Sequence, residues 1–212
     1  MSFDTIVYIV IVIYSIILHE IAHGYIAYLC GDNTAKHAGR LSFNPAPHID
    51  PVGSVLIPVT AVLMGYGVFG WAKGVPVNMA NLGGSRLKEF FVSAAGIITN
   101  FIIAFVFLML MKVSMSDFSN TLLQNISDTL KLNSELFFKI AIVNIGLGFF
   151  NLLPIPPFDG MGILRSIFPS LNHRFQHLEY NPVSMIIAIF AGSYLFSFIY
   201  RDIVDFIFRI FL

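Results

Sequence analysis

Two histidines and a glutamate near the N-terminus form the most informative pattern in the sequence. Residues 18–24 read Leu-His-Glu-Ile-Ala-His-Gly, so His19 and His23 are four residues apart and Glu20 follows the first of them. On an α-helix, two such residues share one face, about 40° apart around the axis and one turn displaced. Two imidazoles in this arrangement can bind one Zn²⁺, and the neighbouring carboxylate can take a proton from the attacking water. The pattern predicts a hydrolytic zinc centre.

This polar cluster lies inside an apolar run, residues 6–29, that is long enough to cross a bilayer. Each ionisable group at the centre of a spanning helix costs roughly 2.5–3.5 kcal/mol on insertion scales. Three such groups within five residues therefore need a compensating partner, most simply a metal ion. The alternative is that the histidines only hydrogen-bond to neighbouring helices, but this leaves Glu20 without a purpose.

The composition is that of a membrane protein. Of 212 residues, 57% are hydrophobic and only 11% are charged, whereas a soluble domain has about 25% charged residues. The 22 Phe and eight Tyr residues fit lipid-facing surfaces and interfacial belts. The formal net charge of zero gives no indication of nucleic-acid binding. The single cysteine, Cys30, excludes an intrachain disulfide. We expect a multi-pass protein of the cell (inner or plasma) membrane.

The elements that must position the site are predicted to be helices. We expect an all-α polytopic fold with about four transmembrane helices, a re-entrant segment and a small β edge near the active site. The spans are predicted near residues 5–29, 90–111, 136–153 and 183–200. The segment 53–69 is barely long enough and is interrupted by Pro58, Gly65 and Gly67, so it should enter the membrane and return.

The remaining organisation is simple. Apolar and polar residues alternate loosely over residues 68–77, which predicts a strand that Pro76 would restrict to an edge position.

The N-terminal apolar run is too long for a cleavable signal peptide and contains the candidate site. Because the polar connections are short, residues 1–212 are expected to form a single membrane-embedded domain.

A third zinc ligand is expected, since catalytic zinc usually has three protein ligands. The best candidate is Asp159, at the end of the sequence Asn151-Leu-Leu-Pro-Ile-Pro-Pro-Phe-Asp159-Gly160. Its three prolines end the preceding helix and impose irregular backbone, which is tolerated at membrane depth only inside protein or beside a water-filled cavity. The alternative is that Asp159 caps the next helix.

A weaker pattern, Gly96-Ile-Ile-Thr-Asn100, lies early in the segment 90–111. Gly96 would allow close helix approach, and Asn100 would need a polar partner in hydrocarbon. Ordinary helix packing explains this pattern equally well.

Together these three elements resemble the site-2 protease family of intramembrane zinc metalloproteases. The family pattern has His-Glu-x-x-His in one helix, Gly-x-x-x-Asn in a second and Asn-x-x-Pro-x-Pro-x-x-Asp-Gly closing a third, and this chain matches their order. The resemblance covers about residues 15–165. Residues 41–53 and the run Gly70-Trp71-Ala72-Lys73 further resemble the compact prokaryotic branch, which lacks PDZ and CBS modules.

The resemblance implies roles for particular residues. His19, His23 and Asp159 would ligate Zn²⁺, and Glu20 would be the general base. Asn151 would steady the oxyanion or the substrate backbone. Asn100 is a weaker candidate for supporting the site, and two residues among turn-forming prolines, His48 and Asp50, could approach it.

The predicted function is therefore that of an intramembrane zinc endopeptidase. It would cleave peptide bonds in or near transmembrane segments of membrane-anchored proteins, in regulated intramembrane proteolysis, and its partners would be those substrates and the lipid bilayer, without nucleic acid. Two alternatives remain from the residues themselves. A membrane metal-ion transporter also places His and Glu on spanning helices, but no inverted repeat is visible. A catalytically silent binding protein would not need Glu20.

Overall fold

Helix α1 (Phe3–Leu29) carries the His-Glu-x-x-His segment. Its 27 residues give a length of about 40 Å at 1.5 Å per residue. The helix is followed by Gly31, whose φ of 108° lies in the region that glycine adopts without a Cβ clash. The chain therefore turns away from the helix axis within two residues of its end.

The computed structural model describes residues 3–56, 60, 71–117, 119–171 and 182–211. Within these residues the structure is helical and has no strand. After α1, the α-helices are α2 (Thr34–His37), α3 (Arg86–Ser114), α4 (Thr121–Lys131), α5 (Ser134–Asn151), α6 (Asp159–Ile167) and α7 (Pro182–Phe211). Short helical turns occur at Ala46–His48, Pro51–Leu56, Met79–Leu82 and Pro169–Leu171.

Three of these helices, α1, α3 and α5, are long and apolar enough to cross a membrane. They coincide with three of the predicted spans, and the expectation of an all-α fold holds for the described residues. The re-entrant prediction for 53–69 falls largely on residues 57–59 and 61–70, which lie outside the described residues.

The predicted β edge is not found as a strand. Residues 68–70 lie outside the described residues, and 71–77 have no neighbouring strand in the described part of the chain. Their hydrogen-bonded N–H groups instead donate to loop carbonyls and to a carboxylate. Within the described residues, the alternation in the sequence corresponds to a segment bound along one side rather than to a strand of a sheet.

Helix α3 is the centre of the bundle and contacts α1, α4, α5, α6 and α7. Small side chains allow this close packing: Ala104 of α3 is 2% exposed and Ala141 of α5 is 0% exposed. They belong to an apolar cluster with Leu108, Met111, Ile145 and Ile207. Outward-facing residues of α3 such as Ile102 and Phe105 are exposed, as expected for a lipid-facing surface.

A buried carboxylate connects the end of α1 to the segment that precedes α3. Asp32 is fully buried and accepts hydrogen bonds from the main-chain N–H of Asn78 and from Asn81 Nδ2, both at 2.7 Å. It also accepts from the N–H and hydroxyl of Thr34. These contacts hold the C-terminal end of residues 71–78 against the chain that follows α1.

Candidate metal centre and active site

Three side-chain atoms converge at the centre of the bundle. His19 Nε2 and His23 Nε2 are 3.1 Å apart, and Asp159 Oδ2 lies 3.1 Å from each of them. The two histidines are 6% and 9% exposed. Among the described residues, this is the group of histidine and carboxylate side chains that could hold a metal ion. The predicted ligand set, His19, His23 and Asp159, is thus brought together by the fold.

The hydrogen bonds of the histidines direct their lone pairs to this point. His23 Nδ1 lies 2.7 Å from the main-chain oxygen of Val92 on α3. A carbonyl oxygen can only accept, so Nδ1 carries the proton, and in the neutral ring Nε2 keeps its lone pair. His19 Nδ1 lies 2.6 Å from Asn100 Oδ1. With both Nε2 atoms and a carboxylate oxygen facing one another, the cluster is suited to hold a cation at its centre.

The distances between the three donor atoms fit a bound zinc ion. Tetrahedral zinc with bonds of about 2.0–2.2 Å places its donor atoms about 3.3–3.6 Å apart, close to the three separations here. Two imidazoles and one carboxylate are also a donor set that zinc uses in hydrolases.

Gly96 of α3 makes room for the two imidazoles. A Cβ at this position would lie 2.4 Å from both His19 Cε1 and His23 Nε2, far inside van der Waals contact. The glycine therefore lets the α3 backbone pack directly against the ligand face of α1. The sequence prediction that Gly96 allows close helix approach agrees with this contact.

A tight reversal of the chain turns Asp159 toward the histidines. Helix α5 ends at Asn151, before the run of prolines, and α6 begins at Asp159. A Cβ on Gly160 would lie 2.2 Å from the carbonyl oxygen of Leu152, so the first turn of α6 packs on the backbone that follows α5. The N-cap position of α6 is Phe158, not Asp159, and the Asp159 carboxylate faces the histidines. This arrangement does not support the alternative in which Asp159 caps the helix.

Glu20 is tied to the segment that lies over the site. Its Oε2 accepts a hydrogen bond of 2.7 Å from the main-chain N–H of Val75. Sequence reasoning assigned the role of general base to Glu20 but did not identify this partner. Main-chain donors of this kind have no residue signature, since any residue except proline supplies one.

The segment 71–77 is held along one side. The N–H groups of Trp71, Lys73 and Val75 donate to Gly53 O at 3.1 Å, His48 O at 2.9 Å and Glu20 Oε2, respectively. This two-residue period is that of an extended chain. The intervening N–H groups, those of Ala72 and Gly74, donate no hydrogen bond to another described main-chain group. One edge of the segment is therefore left without main-chain partners in the described part of the protein.

A buried arginine supports this segment. Arg40 is 5% exposed, and its Nη2 donates to Lys73 O. His48 is 3% exposed, and its Nε2 lies 2.9 Å from Ser42 O while its carbonyl accepts from Lys73. Sequence reasoning considered His48 as a possible part of the site but did not identify Arg40.

The remaining candidates differ in whether they contact the three proposed ligands. Asp50 Oδ1 accepts from the N–H groups of Val52 and Gly53 and so caps the turn Pro51–Leu56. Asn151 Nδ2 donates to Leu147 O of its own helix, and no hydrogen bond joins it to the histidines or Asp159 among the described residues. Its predicted role at the oxyanion stays a prediction. Asn100, considered a weaker candidate, contacts His19 directly.

Comparison with known proteins agrees with the motifs. The model of Peptidase family M50 matches residues 7–195. YwhC of Bacillus subtilis (strain 168), whose name describes a zinc metalloprotease, is 42% identical over 162 residues, which cover 76% of this chain and 68% of that protein. Rip2 of Mycolicibacterium smegmatis (strain ATCC 700084 / mc(2)155), also named as a zinc metalloprotease, is 28% identical over 162 residues, 76% of this chain and 56% of its own. No solved structure matches.

Proposed function

The chain belongs to peptidase family M50, the site-2 protease family, and we propose that His19, Glu20, His23 and Asp159 form the active site with which it cleaves membrane-anchored proteins. The family and the relatives identify an intramembrane zinc metalloprotease, a hydrolase that uses Zn²⁺. Our proposal adds the residues that carry the chemistry and the class of substrate, a peptide bond in or near a transmembrane segment.

The observation that supports the ligand assignment most strongly is the convergence of three lone-pair donors. His19 Nε2, His23 Nε2 and Asp159 Oδ2 are separated pairwise by 3.1 Å. Without a cation, this arrangement would place two imidazole lone pairs against each other and against an anion in a region shielded from water, which is unfavourable. The three residues would hold the zinc ion and leave its fourth position to water or substrate.

When bound, zinc acidifies water and polarises the scissile carbonyl. Glu20 would accept the proton of the attacking water and return it to the leaving amine. Its Oε2 accepts from Val75 N–H, so Oε1 is the oxygen that we assign to proton transfer. Asn151 is proposed, on the family pattern alone, to steady the oxyanion or the substrate backbone.

The carbonyl groups of a helical substrate accept hydrogen bonds within the helix, so the helix must unwind before cleavage. We assign the holding of the unwound chain to residues 71–77 by β-augmentation, in which an extended peptide adds to an open edge. Support comes from the Ala72 and Gly74 N–H groups, which lie on the edge opposite the one that binds Glu20 and His48. Replacing Ala72 with proline removes one of these donors, and it should slow cleavage of a helical substrate while zinc content stays unchanged. Unaltered turnover would rule out this clamp.

The proposed topology has four spans. In addition to α1, α3 and α5, helix α7 has 30 residues, about 45 Å, which is sufficient length for a fourth. Residues 53–69 would enter and leave on the same face, so that the ends of α1 and α5 and the start of α3 meet there. This arrangement makes the protein multi-pass in the cell membrane.

The function is tested on purified full-length protein. Zinc content is measured together with cleavage of candidate single-span membrane proteins. We expect about one zinc per chain, loss of cleavage when a chelator removes the metal, and recovery when zinc is restored. Cleavage that persists in metal-free protein would contradict the proposal.

A further inference from the structure

A chain of buried polar side chains extends from His19 into two other helices. His19 Nδ1 lies 2.6 Å from Asn100 Oδ1 on α3, and Asn100 Nδ2 donates to Asn144 Oδ1 on α5 at 3.2 Å. Asn144 Nδ2 then donates to Ser15 Oγ at 2.9 Å, which returns the chain to α1 one turn before His19. Both asparagines are 0% exposed. The chain thus joins the three apolar helices through a zinc-ligand candidate.

The orientation of the Asn144 side-chain amide determines which atoms donate and which accept in these hydrogen bonds. Asn144 Nδ2 also lies 2.9 Å from the main-chain oxygen of Ile140, one turn earlier on α5. A carbonyl oxygen only accepts, so the atom that faces it must be the amide nitrogen. The oxygen of Asn144 therefore faces Asn100. Because two amide oxygens would repel each other, Asn100 must present its nitrogen to Asn144.

The same logic determines the proton position on His19. With its nitrogen turned to Asn144, Asn100 presents its oxygen to His19 Nδ1. That oxygen accepts, so Nδ1 carries the proton and Nε2 keeps the lone pair. Asn100 alone could not enforce this. Its amide has nearly the same shape after a 180° rotation, which would present a donor to Nδ1 and require the proton on Nε2, where it would block metal binding.

We propose that Asn144 is a positioning residue of the zinc site. It holds Asn100 in the one orientation that leaves the His19 Nε2 lone pair available to the metal. This inference rests on the proposed assignment of His19 as a zinc ligand. For His23 the corresponding acceptor is the Val92 main-chain oxygen, which cannot rotate and needs no further support. His19 lacks such a fixed acceptor, so the side-chain amide of Asn144 is needed to fix the orientation of Asn100.

The alternative is that Asn144 only packs α5 against its neighbours, as buried amides in membrane helices often do. The two explanations differ in how the effects of Asn144 and Asn100 combine. A packing residue weakens the protein independently of Asn100, whereas a residue that acts through Asn100 has no further effect once Asn100 is removed.

The test measures the zinc dissociation constant of detergent-purified full-length protein by competition with a chelator. Four forms are compared: wild type, Asn144→Ala, Asn100→Ala and the double variant. We expect Asn144→Ala to weaken zinc binding about tenfold, the scale at which loss of a ligand's hydrogen-bonding partner acts. We also expect the double variant to bind zinc as Asn100→Ala does. Full affinity in Asn144→Ala, or effects that multiply in the double variant, would overturn the proposal.

Two further variants separate orientation from packing. In Asn144→Asp, a protonated carboxyl group can donate to Ile140 O and accept from Asn100, as the native amide does. This variant should therefore retain zinc affinity within about twofold. It also allows the test to be made if the alanine variant does not accumulate. Ser15→Ala leaves the hydrogen bond from Asn144 to Ile140 O in place and should also retain the affinity for zinc. A tenfold loss in either variant would show that the polar cluster supports packing alone, and would overturn the proposal. Wild-type protein that binds no zinc would instead refute the ligand assignment itself.

Discussion

The main-chain N–H of Val75 donates a 2.7 Å hydrogen bond to Oε2 of Glu20. The segment that we propose to hold the substrate is thereby joined to the residue that we propose to move the proton. Since Lys73, two residues earlier, is bound by His48 and Arg40, the position of the carboxylate depends on a network that begins outside α1. On our proposal, placement of the substrate and orientation of the base would therefore be coupled.

Val75→Pro removes this N–H while keeping an apolar side chain. Loss of a hydrogen bond to a charged group costs about 1.5–3 kcal/mol, so kcat should fall about tenfold to hundredfold with zinc content unchanged. The control is Val75→Ala, which keeps the donor and should retain most of the activity. Equal kcat for the proline and alanine variants would show that the bond does not position Glu20.

Gly96→Ala should disrupt the metal centre. The added Cβ would lie 2.4 Å from His19 Cε1 and His23 Nε2, so the imidazoles or the α3 backbone must shift. Zinc affinity should fall about tenfold to hundredfold, in line with the cost of overpacking. Gly146→Ala is the matched control in α5, because its Cβ would meet Phe196 at 3.9 Å, an ordinary contact. Normal zinc binding by Gly96→Ala would show that α3 does not pack against the ligands as described.

Asp32 should make stability depend on pH. Burial alone would raise the pKa of its carboxyl, but hydrogen bonds from Thr34, Asn81 and Asn78 outweigh this effect and hold the pKa below its ordinary value. A lowered folded-state pKa gives stability that is present above the unfolded-state pKa of about 3.9 and is lost as the pH falls through the folded-state pKa.

Asp32→Asn tests this dependence in thermal unfolding measured from pH 7 to pH 3. We expect the variant to be about 3 kcal/mol less stable at pH 7, because several buried donors lose an anionic acceptor. The difference from wild type should shrink as the pH falls below about 4. The control is Asp128→Asn on α4, where the carboxylate is exposed and accepts from Gln124. A difference that stays constant with pH would contradict the role of the ionised carboxylate.

Asp159→Asn distinguishes a role of Asp159 as zinc ligand from a role as helix cap. Asparagine caps helices about as well as aspartate, so a cap would tolerate the change. A neutral amide is a poor substitute for an anionic oxygen on Zn²⁺, so we expect zinc content well below one per chain and cleavage reduced at least about 100-fold. Both are measured on one membrane preparation after insertion and accumulation are confirmed. Full zinc content with full cleavage would exclude Asp159 from the centre.

Two simple rules visible in the sequence account for the proximity of the three proposed ligands. Helical periodicity places His19 and His23 on one face, and the prolines before Asp159 force the chain break that turns this carboxylate inward. Gly96 was also predicted to permit close packing, although which side chains it accommodates depends on the tertiary structure.

Other features could not be predicted from residue types. The alternation in residues 68–77 was recognised, but a strand also needs a partner, and the tertiary structure decides which segments pair. The Val75–Glu20 bond and the Val92–His23 bond use main-chain groups that every residue carries. Asn144 is visible in the sequence as a polar residue in an apolar helix, but its connection to Asn100 depends on how α3 and α5 pack.

The central claim is that Glu20 performs proton transfer at a zinc centre built by His19, His23 and Asp159. The most direct measurement is zinc stoichiometry together with cleavage rate for Glu20→Gln, in the same detergent-purified preparation as wild type. The amide cannot accept the proton, while both imidazoles and the aspartate remain. We predict about one zinc per chain and no detectable cleavage. Cleavage by this variant at the wild-type rate would contradict the account.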